Sequence, residues 1–235
     1  MKTVIGIVPK GDLFDQEKSN ISDTYTLGNN YIKRVQEAGG IPVGIAPVDG
    51  WILQDVLDMC DGFIVQGGKD YYPYHFQIVH HAVVTGKKYL GICMGMQVIH
   101  SYFMLRHVVE NRGYEGDLVQ AIWELYNDPE RNFDTLGNVE GHRSQFAPRG
   151  REDDVKHEVR VVSGTLLHQL TGREMLRGAT FHNYCILTEN CRLKVNAWSV
   201  DGVAEGVEYE NNILGVQFHP EVDDKLKELF AFLTE

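Results

Sequence analysis

The sequence predicts an α/β protein: a doubly wound, three-layer sheet, parallel and in part mixed, with helices on both faces. Three observations predict it. Short apolar runs alternate four times with helix-period segments. The runs are continuously apolar and β-branched, as strands covered on both faces require. The chain's 235 residues, 43 % apolar, suit one sizeable domain over 1–235 that needs no disulfide or structural metal to fold.

The first strand is residues 3–8, ended by Pro9. Leu27, Tyr31, Ile32, Val35 and Ala38 then fall at helical spacing, and Gly39-Gly40 stops that helix. Residues 41–45 read as a strand, 51–59 as a short helix, and 62–66 as a strand ending in Gly67-Gly68. A helix over 74–85, a strand over 88–92 and a helix over 94–107 complete the alternation. Residues 110–155 break it, being polar and glycine-dotted, and read as a long lid-like excursion with one helix near 117–126. Strands resume over 158–162, 194–198, 203–209 and 213–217, the last two joined by a tight turn at Glu210-Asn-Asn212. Leu226, Leu229, Phe230 and Leu233 then mark one face of a final amphipathic helix.

The formal charge of −11, from 22 basic and 33 acidic residues, argues against nucleic acid or an anionic membrane as the main partner. No apolar stretch approaches the roughly 18 residues of a membrane span. The N-terminal run reads as a strand, not a signal peptide, so a cytoplasmic location is expected. Cys60, Cys93, Cys185 and Cys191 show no C-x-x-C pairing, which speaks against a zinc site or a disulfide framework.

Chemistry is concentrated at three places. Gly91-Ile-Cys93-Met-Gly95 joins a strand to a helix; a cysteine there sits on a sharp turn above the carboxyl ends of the strands, at a helix N-terminus that favours thiolate. The Met94 N–H is one candidate oxyanion donor. Gly215-Val-Gln-Phe-His219-Pro-Glu221 closes the last strand. Residues i and i+2 of an extended segment share a side, so Glu221 can orient His219, and His219 can take the proton of Cys93. Gln66-Gly67-Gly68 exposes backbone N–H groups, and Gly68 is the second candidate oxyanion donor.

With these residues the chain resembles the class I glutamine amidotransferases, and within them the γ-glutamyl-γ-aminobutyrate and γ-glutamyl-peptide hydrolase branch. The matching pieces run nearly end to end: Ile5-Gly-Ile with Pro9, Tyr31 through Ala38-Gly-Gly-Ile-Pro42, Gln66-Gly-Gly-Lys-Asp70 with Pro73, Gly91 to Gln97, Asp201-Gly-Val-Ala-Glu205, and Leu214 to Glu221. The resemblance implies a flavodoxin-like three-layer fold, with Cys93 as nucleophile and His219 and Glu221 completing a triad. It implies a γ-glutamyl thioester intermediate and no metal or organic cofactor. Gln97 and Gly67 would help hold the glutamyl group. His182, in Thr180-Phe-His-Asn-Tyr184, matches the first histidine of a Ser-x-His-His-Gln pocket motif, with Asn183 and Tyr184 in place of its second histidine and glutamine. The connection after Pro73 is shorter than in the family, and the 110–155 excursion replaces a Gly-Gly-Thr-Leu stretch. The His-Asn-Tyr version also resembles relatives in surface-polysaccharide pathways that cleave unusual γ-glutamyl amides.

The reading that follows is a hydrolase of a small-molecule γ-glutamyl amide. Its rivals are a glutaminase subunit feeding ammonia to a synthase partner and a non-catalytic binding or regulatory protein; homodimer formation is left open. Arg143 and Arg149 are candidates to clamp an anionic leaving group. Cys185 is expected to pack. His80-His81 point about 100° apart on a helix, and His75, His100, His107, His142, His157 and His168 have no ligand-like spacing, so all are expected to be ordinary.

Overall fold

The computed structural model describes residues 2–13, 23–143, 155–190 and 192–235. The chain opens with β1 (Val4–Val8) and a small ribbon of β2 (Lys10–Asp12) against β3 (Thr24–Thr26). Then come α1 (Asn29–Glu37), β4 (Ile41–Gly44), α2 (Gln54–Met59), β5 (Gly62–Val65), α3 (Pro73–Thr85), β6 (Lys88–Ile92) and α4 (Met94–Asn111). They are followed by α5 (Leu118–Tyr126), β7 (Leu136–Asn138), β8 (Lys156–Val161), α6 (Leu166–Thr171), β9 (Met175–Ala179) and β10 (Tyr184–Ile186). The chain ends with β11 (Lys194–Ser199), β12 (Ala204–Tyr209), β13 (Ile213–Val216) and the single turn α7 (Glu228–Ala231).

One nine-stranded sheet runs in the order β4-β1-β5-β6-β13-β12-β11-β8-β9. The first five strands are mutually parallel, and the remaining four each run antiparallel to their neighbour. Side chains alternate across its parallel strands, as a period of two demands. Phe63, Val65, Tyr89 and Ile213 pack on the side of α3, α4 and α5. Ile64, Leu90, Ile92, Leu214 and Val216 pack on the side of α1, α6 and α7. This is the mixed three-layer sheet expected from the alternation of runs.

The segment 110–143 is more ordered than a lid. Asp117 caps α5 by accepting the Gln120 N–H at 2.9 Å, and Val119, Ala121, Ile122 and Leu125 join the core on α3 and α4. β7 pairs antiparallel with β10. Residues 144–154, Arg149 among them, lie outside the described residues.

Several elements carry little local signal in the sequence. β9 reads Met-Leu-Arg-Gly-Ala, with arginine and glycine blurring its alternation; Gly178 is needed because a Cβ there would lie 2.5 Å from that of Phe218. The short helix α6 is framed by the Thr165 cap and by Gly172 at φ 63°. The expected terminal helix is instead a 3-10 turn at Asp224–Leu226 followed by α7. Leu226, Leu229, Phe230 and Leu233 are all buried nonetheless, since their spacing suits either helical path.

Candidate active site

β5, β6, β9 and β13 deliver their carboxyl ends to one cavity of about 930 Å³, the place where open parallel sheets bind ligands. Cys93 stands between β6 and α4 with φ 54° and ψ −106°, a conformation that costs roughly 1–3 kcal/mol for a residue with a side chain. Close packing holds it there. A Cβ on Gly91 would lie 2.5 Å from the Gly95 carbonyl oxygen, and one on Gly95 would lie 2.2 Å from that of Val65. The Cys93 N–H donates to Val216 O at 2.8 Å, tying the turn to β13. Cys93 is buried to 5 % exposure, and its side chain lines the cavity.

His219 follows β13, its N–H bonded to Ala179 O at 2.9 Å. Its Nδ1–H donates to Glu221 Oε1 at 2.7 Å, so Nε2, buried and without a hydrogen-bond partner, is left for Cys93. Burial opposes charge on this imidazole, but Glu221 and then Cys93 hold its pKa well above the ordinary value. Burial likewise opposes charge on Glu221, and the His219 imidazolium and the Tyr31 hydroxyl outweigh it, so this carboxyl sits below its ordinary range. The three residues singled out in the sequence are thus brought together.

Two further residues support them. Tyr31 Oη donates to Glu221 Oε1 at 2.8 Å and accepts the Gly67 N–H at 3.2 Å. Arg34, buried at 4 % exposure, donates from Nε to the Glu221 carbonyl at 3.1 Å and pairs with Asp224 at 2.6 Å. Both lie on α1, where helical periodicity marks a core face without distinguishing packing from polar support. Gln66 fixes the glycine loop: its amide donates to Val8 O and Thr26 O and accepts the Gly28 N–H.

The Gly67 N–H is taken by Tyr31, whereas among the described residues no acceptor takes the Gly68 N–H. Met94 is the first residue of α4, where an N–H has no intrahelical acceptor. Gly68 lines the cavity together with Cys93, and a Cβ on it would lie 2.8 Å from the Met94 sulfur. Gln97 lines the cavity with its amide nitrogen committed, donating to Tyr184 O and Gln217 Oε1 at 3.1 Å each. His182, Asn183 and Tyr184 also line the cavity, together with Arg143, whose guanidinium lies 5.2 Å from the Phe181 ring centre. Cys185 does not line the cavity; its thiol contacts Gly137 O at 3.7 Å.

The expectation that His142 and His157 lack ligand-like partners is corrected here. With His182 they converge on Glu205, which is fully buried. Hydrogen bonding to Glu205 raises the His142 pKa; burial opposes this and Asp201 reinforces it, and the value is pushed up to about 9. Burial opposes charge on Glu205, and the three imidazoles hold it well below the ordinary carboxylate range. The contacts span 23 residues or more, so no local spacing could announce them. By contrast, His80 bonds Tyr102 Oη at 2.8 Å, and His81 faces Asp58 at 3.9 Å.

The matching family model is peptidase C26, over residues 3–221, and the chain belongs to that family. It is 25 % identical to protein NtpR of Enterococcus hirae over 222 residues, covering 85 % of this chain and 82 % of NtpR. The fold is shared with the glutaminase domain of Trypanosoma brucei CTPS, solved with bound acivicin, at a TM-score of 0.66 and 17 % identity, over 98 % and 92 % of the two chains. It is shared also with a glutamine amidotransferase of Thermotoga maritima at a TM-score of 0.57 and 16 % identity, over 94 % and 77 %. A putative glutamine amidotransferase of Mycobacterium tuberculosis is 29 % identical over 89 % of this chain and 67 % of that protein. With the peptidase C26 match, this makes the chain a glutamine amidotransferase-type domain of the class I superfamily, a family of cysteine-dependent amide hydrolysis. No described helix is long and apolar enough to cross a membrane.

Proposed function

We propose that this protein hydrolyses a γ-glutamyl amide through a thioester on Cys93. The observation that carries the reading is the convergence, at one cavity, of Cys93 on its strained turn with the His219–Glu221 pair bonded at 2.7 Å. Cys93 sulfur, its proton passed to His219 Nε2, attacks the γ-carbonyl carbon. The Gly68 and Met94 N–H groups stabilise the resulting oxyanion. His219 returns the proton to the departing nitrogen, leaving the amine and a γ-glutamyl thioester. Water, deprotonated by His219, attacks the thioester, and glutamate leaves as the Cys93 sulfur takes back the proton. Glu221 keeps the imidazole in the Nδ1–H tautomer throughout and stabilises the imidazolium.

Asn183, Tyr184 and Arg143 face the leaving-group side in this reading, and the cavity volume accommodates an amine larger than ammonia. Release of glutamate from a panel of γ-glutamyl amides, free glutamine included, tests it. Turnover of at least one γ-glutamyl amine faster than glutamine supports the hydrolase; turnover of none contradicts it. The likeness to a CTPS glutaminase domain favours one second reading, in which ammonia passes to a synthase subunit. That reading requires glutamine hydrolysis to be negligible alone and to rise when the partner is added.

A further inference from the structure

Behind the His182 wall of the cavity, four side chains from distant parts of the chain meet at one point. His142 precedes the segment outside the described residues, His157 is on β8, His182 follows β9, and Glu205 is on β12. His142 Nδ1 lies 3.2 Å from His182 Nε2 and 3.2 Å from Glu205 Oε1, and His182 Nε2 lies 3.4 Å from the same oxygen. His157 Nε2 is 3.4 Å from the other oxygen, Glu205 Oε2.

The outer bonds of the rings decide what these atoms are. His142 Nε2 bonds Asp201 Oδ2 at 2.9 Å, and Asp201 is also the partner of the Ser199 hydroxyl. His182 Nδ1 bonds the Tyr184 carbonyl at 2.9 Å. A carboxylate and a carbonyl can only accept, so both outer nitrogens carry hydrogen. In neutral rings the inner nitrogens, His142 Nδ1 and His182 Nε2, are then lone pairs. They point at each other and at a carboxylate that is 0 % exposed, its oxygens 3.2–3.4 Å from the three rings. Acceptors meeting acceptors in a buried space call for a cation between them.

Two cations fit the chemistry, a proton on an imidazole or a divalent metal ion. The distances favour the metal. Ligand bonds of 2.0–2.1 Å in a tetrahedron put donor atoms about 3.3 Å apart, and the three inner atoms form a triangle with edges of 3.2, 3.2 and 3.4 Å. The Asp201 carboxylate and the Tyr184 carbonyl are the outer partners that metal-bound histidines characteristically have.

We propose that His142, His182 and Glu205, with His157 on the second carboxylate oxygen, form a site for a divalent first-row metal ion such as Zn²⁺. The three ligands are buried and include none of the Cys93, His219 and Glu221 side chains, so the ion is structural. It pins the 142–143 segment and the His182–Tyr184 wall to β12, and takes no part in the Cys93 chemistry. Metal binding displaces any proton that His142 carries, so uptake releases protons.

The test uses full-length, tag-free protein stripped with a chelator, dialysed, and titrated with Co²⁺ and then Zn²⁺. The expected result is one equivalent of Co²⁺ with the intense visible bands of tetrahedral coordination, displacement by Zn²⁺, and a rise in Tm with metal. His142→Ala is expected to abolish the bands. If it does not fold, Asp201→Asn carries the test: it removes no ligand, lies on a largely exposed side chain, and is expected to weaken affinity about 10-fold or more. Absence of one-to-one binding, or an unchanged affinity and spectrum in Asp201→Asn, overturns the proposal and leaves a cluster held by protons alone.

Discussion

Tyr31 and Glu221, 190 positions apart in the chain, share a hydrogen bond of 2.8 Å from Oη to Oε1, and the same hydroxyl accepts the Gly67 N–H. One phenol thus links the acid that orients His219 to the loop that presents Gly68. Tyr31→Phe removes both bonds while keeping the ring packed. A hydrogen bond to a charged group is worth about 1.5–3 kcal/mol, so kcat/KM is expected to fall about 10- to 100-fold. Steady-state kinetics beside a thermal melt check this; a variant with unchanged kcat/KM would show that the bond positions nothing.

The backbone at Cys93 supplies a second expectation. With φ at 54°, a side chain is disfavoured by roughly 1–2 kcal/mol relative to glycine. Cys93→Gly is therefore expected to be more stable than Cys93→Ala by about that amount, although both are inactive. Urea unfolding of the two variants decides it, and equal or reversed midpoints would mean that the turn stores no strain.

The pH dependence follows from the signs of two shifts. The folded pKa of His219 is raised, so its contribution to stability is fully present below its unfolded value of about 6.5 and is lost as pH rises through the folded value. The folded pKa of Glu221 is lowered, so its contribution is present above about 4.3 and is lost as pH falls through the folded value. The Tm gap between wild type and Glu221→Gln is expected to be widest between about pH 4.3 and 6.5 and to narrow at alkaline pH. Melts across a buffer series test this, and a gap that does not change with pH would contradict the charged pair.

Gly67 offers a steric test at the centre of the site. A Cβ there would stand 2.9 Å from His219 Cε1 and 3.3 Å from Cys93 Cβ, so the imidazole must move. Gly67→Ala is expected to lower kcat about 100-fold, since sub-ångström misplacement is costly in catalysis, with only a small loss of Tm. Retention of full kcat would mean that His219 is not held where the structure has it.

Much of the fold was legible because its signals are local. Apolar runs such as Ile5–Val8 and Phe63–Val65 are buried on both faces and announce themselves as strands; Gly91 and Gly95 mark the Cys93 turn by chemistry that only glycine allows. The elements that stayed hidden are short or mixed in character, such as β9 with Arg177 and Gly178, and the three-residue ribbons. At the site, Cys93, His219 and Glu221 belong to compact motifs. Tyr31, Arg34 and the His142–His157–His182–Glu205 cluster depend on contacts across tens of residues, which only the folded chain reveals. Glu205, four residues beyond Asp201, stands in the sequence only as part of a family-like segment, although the two acids bracket the same histidine.

The account stands most directly on Cys93 as the nucleophile. Incubation with a γ-glutamyl-directed electrophile, followed by digestion and mass mapping, is expected to place one adduct on Cys93, with no adduct in Cys93→Ala and no γ-glutamyl amide hydrolysis by that variant. An adduct on Cys60 or Cys185, or full activity in Cys93→Ala, would contradict it.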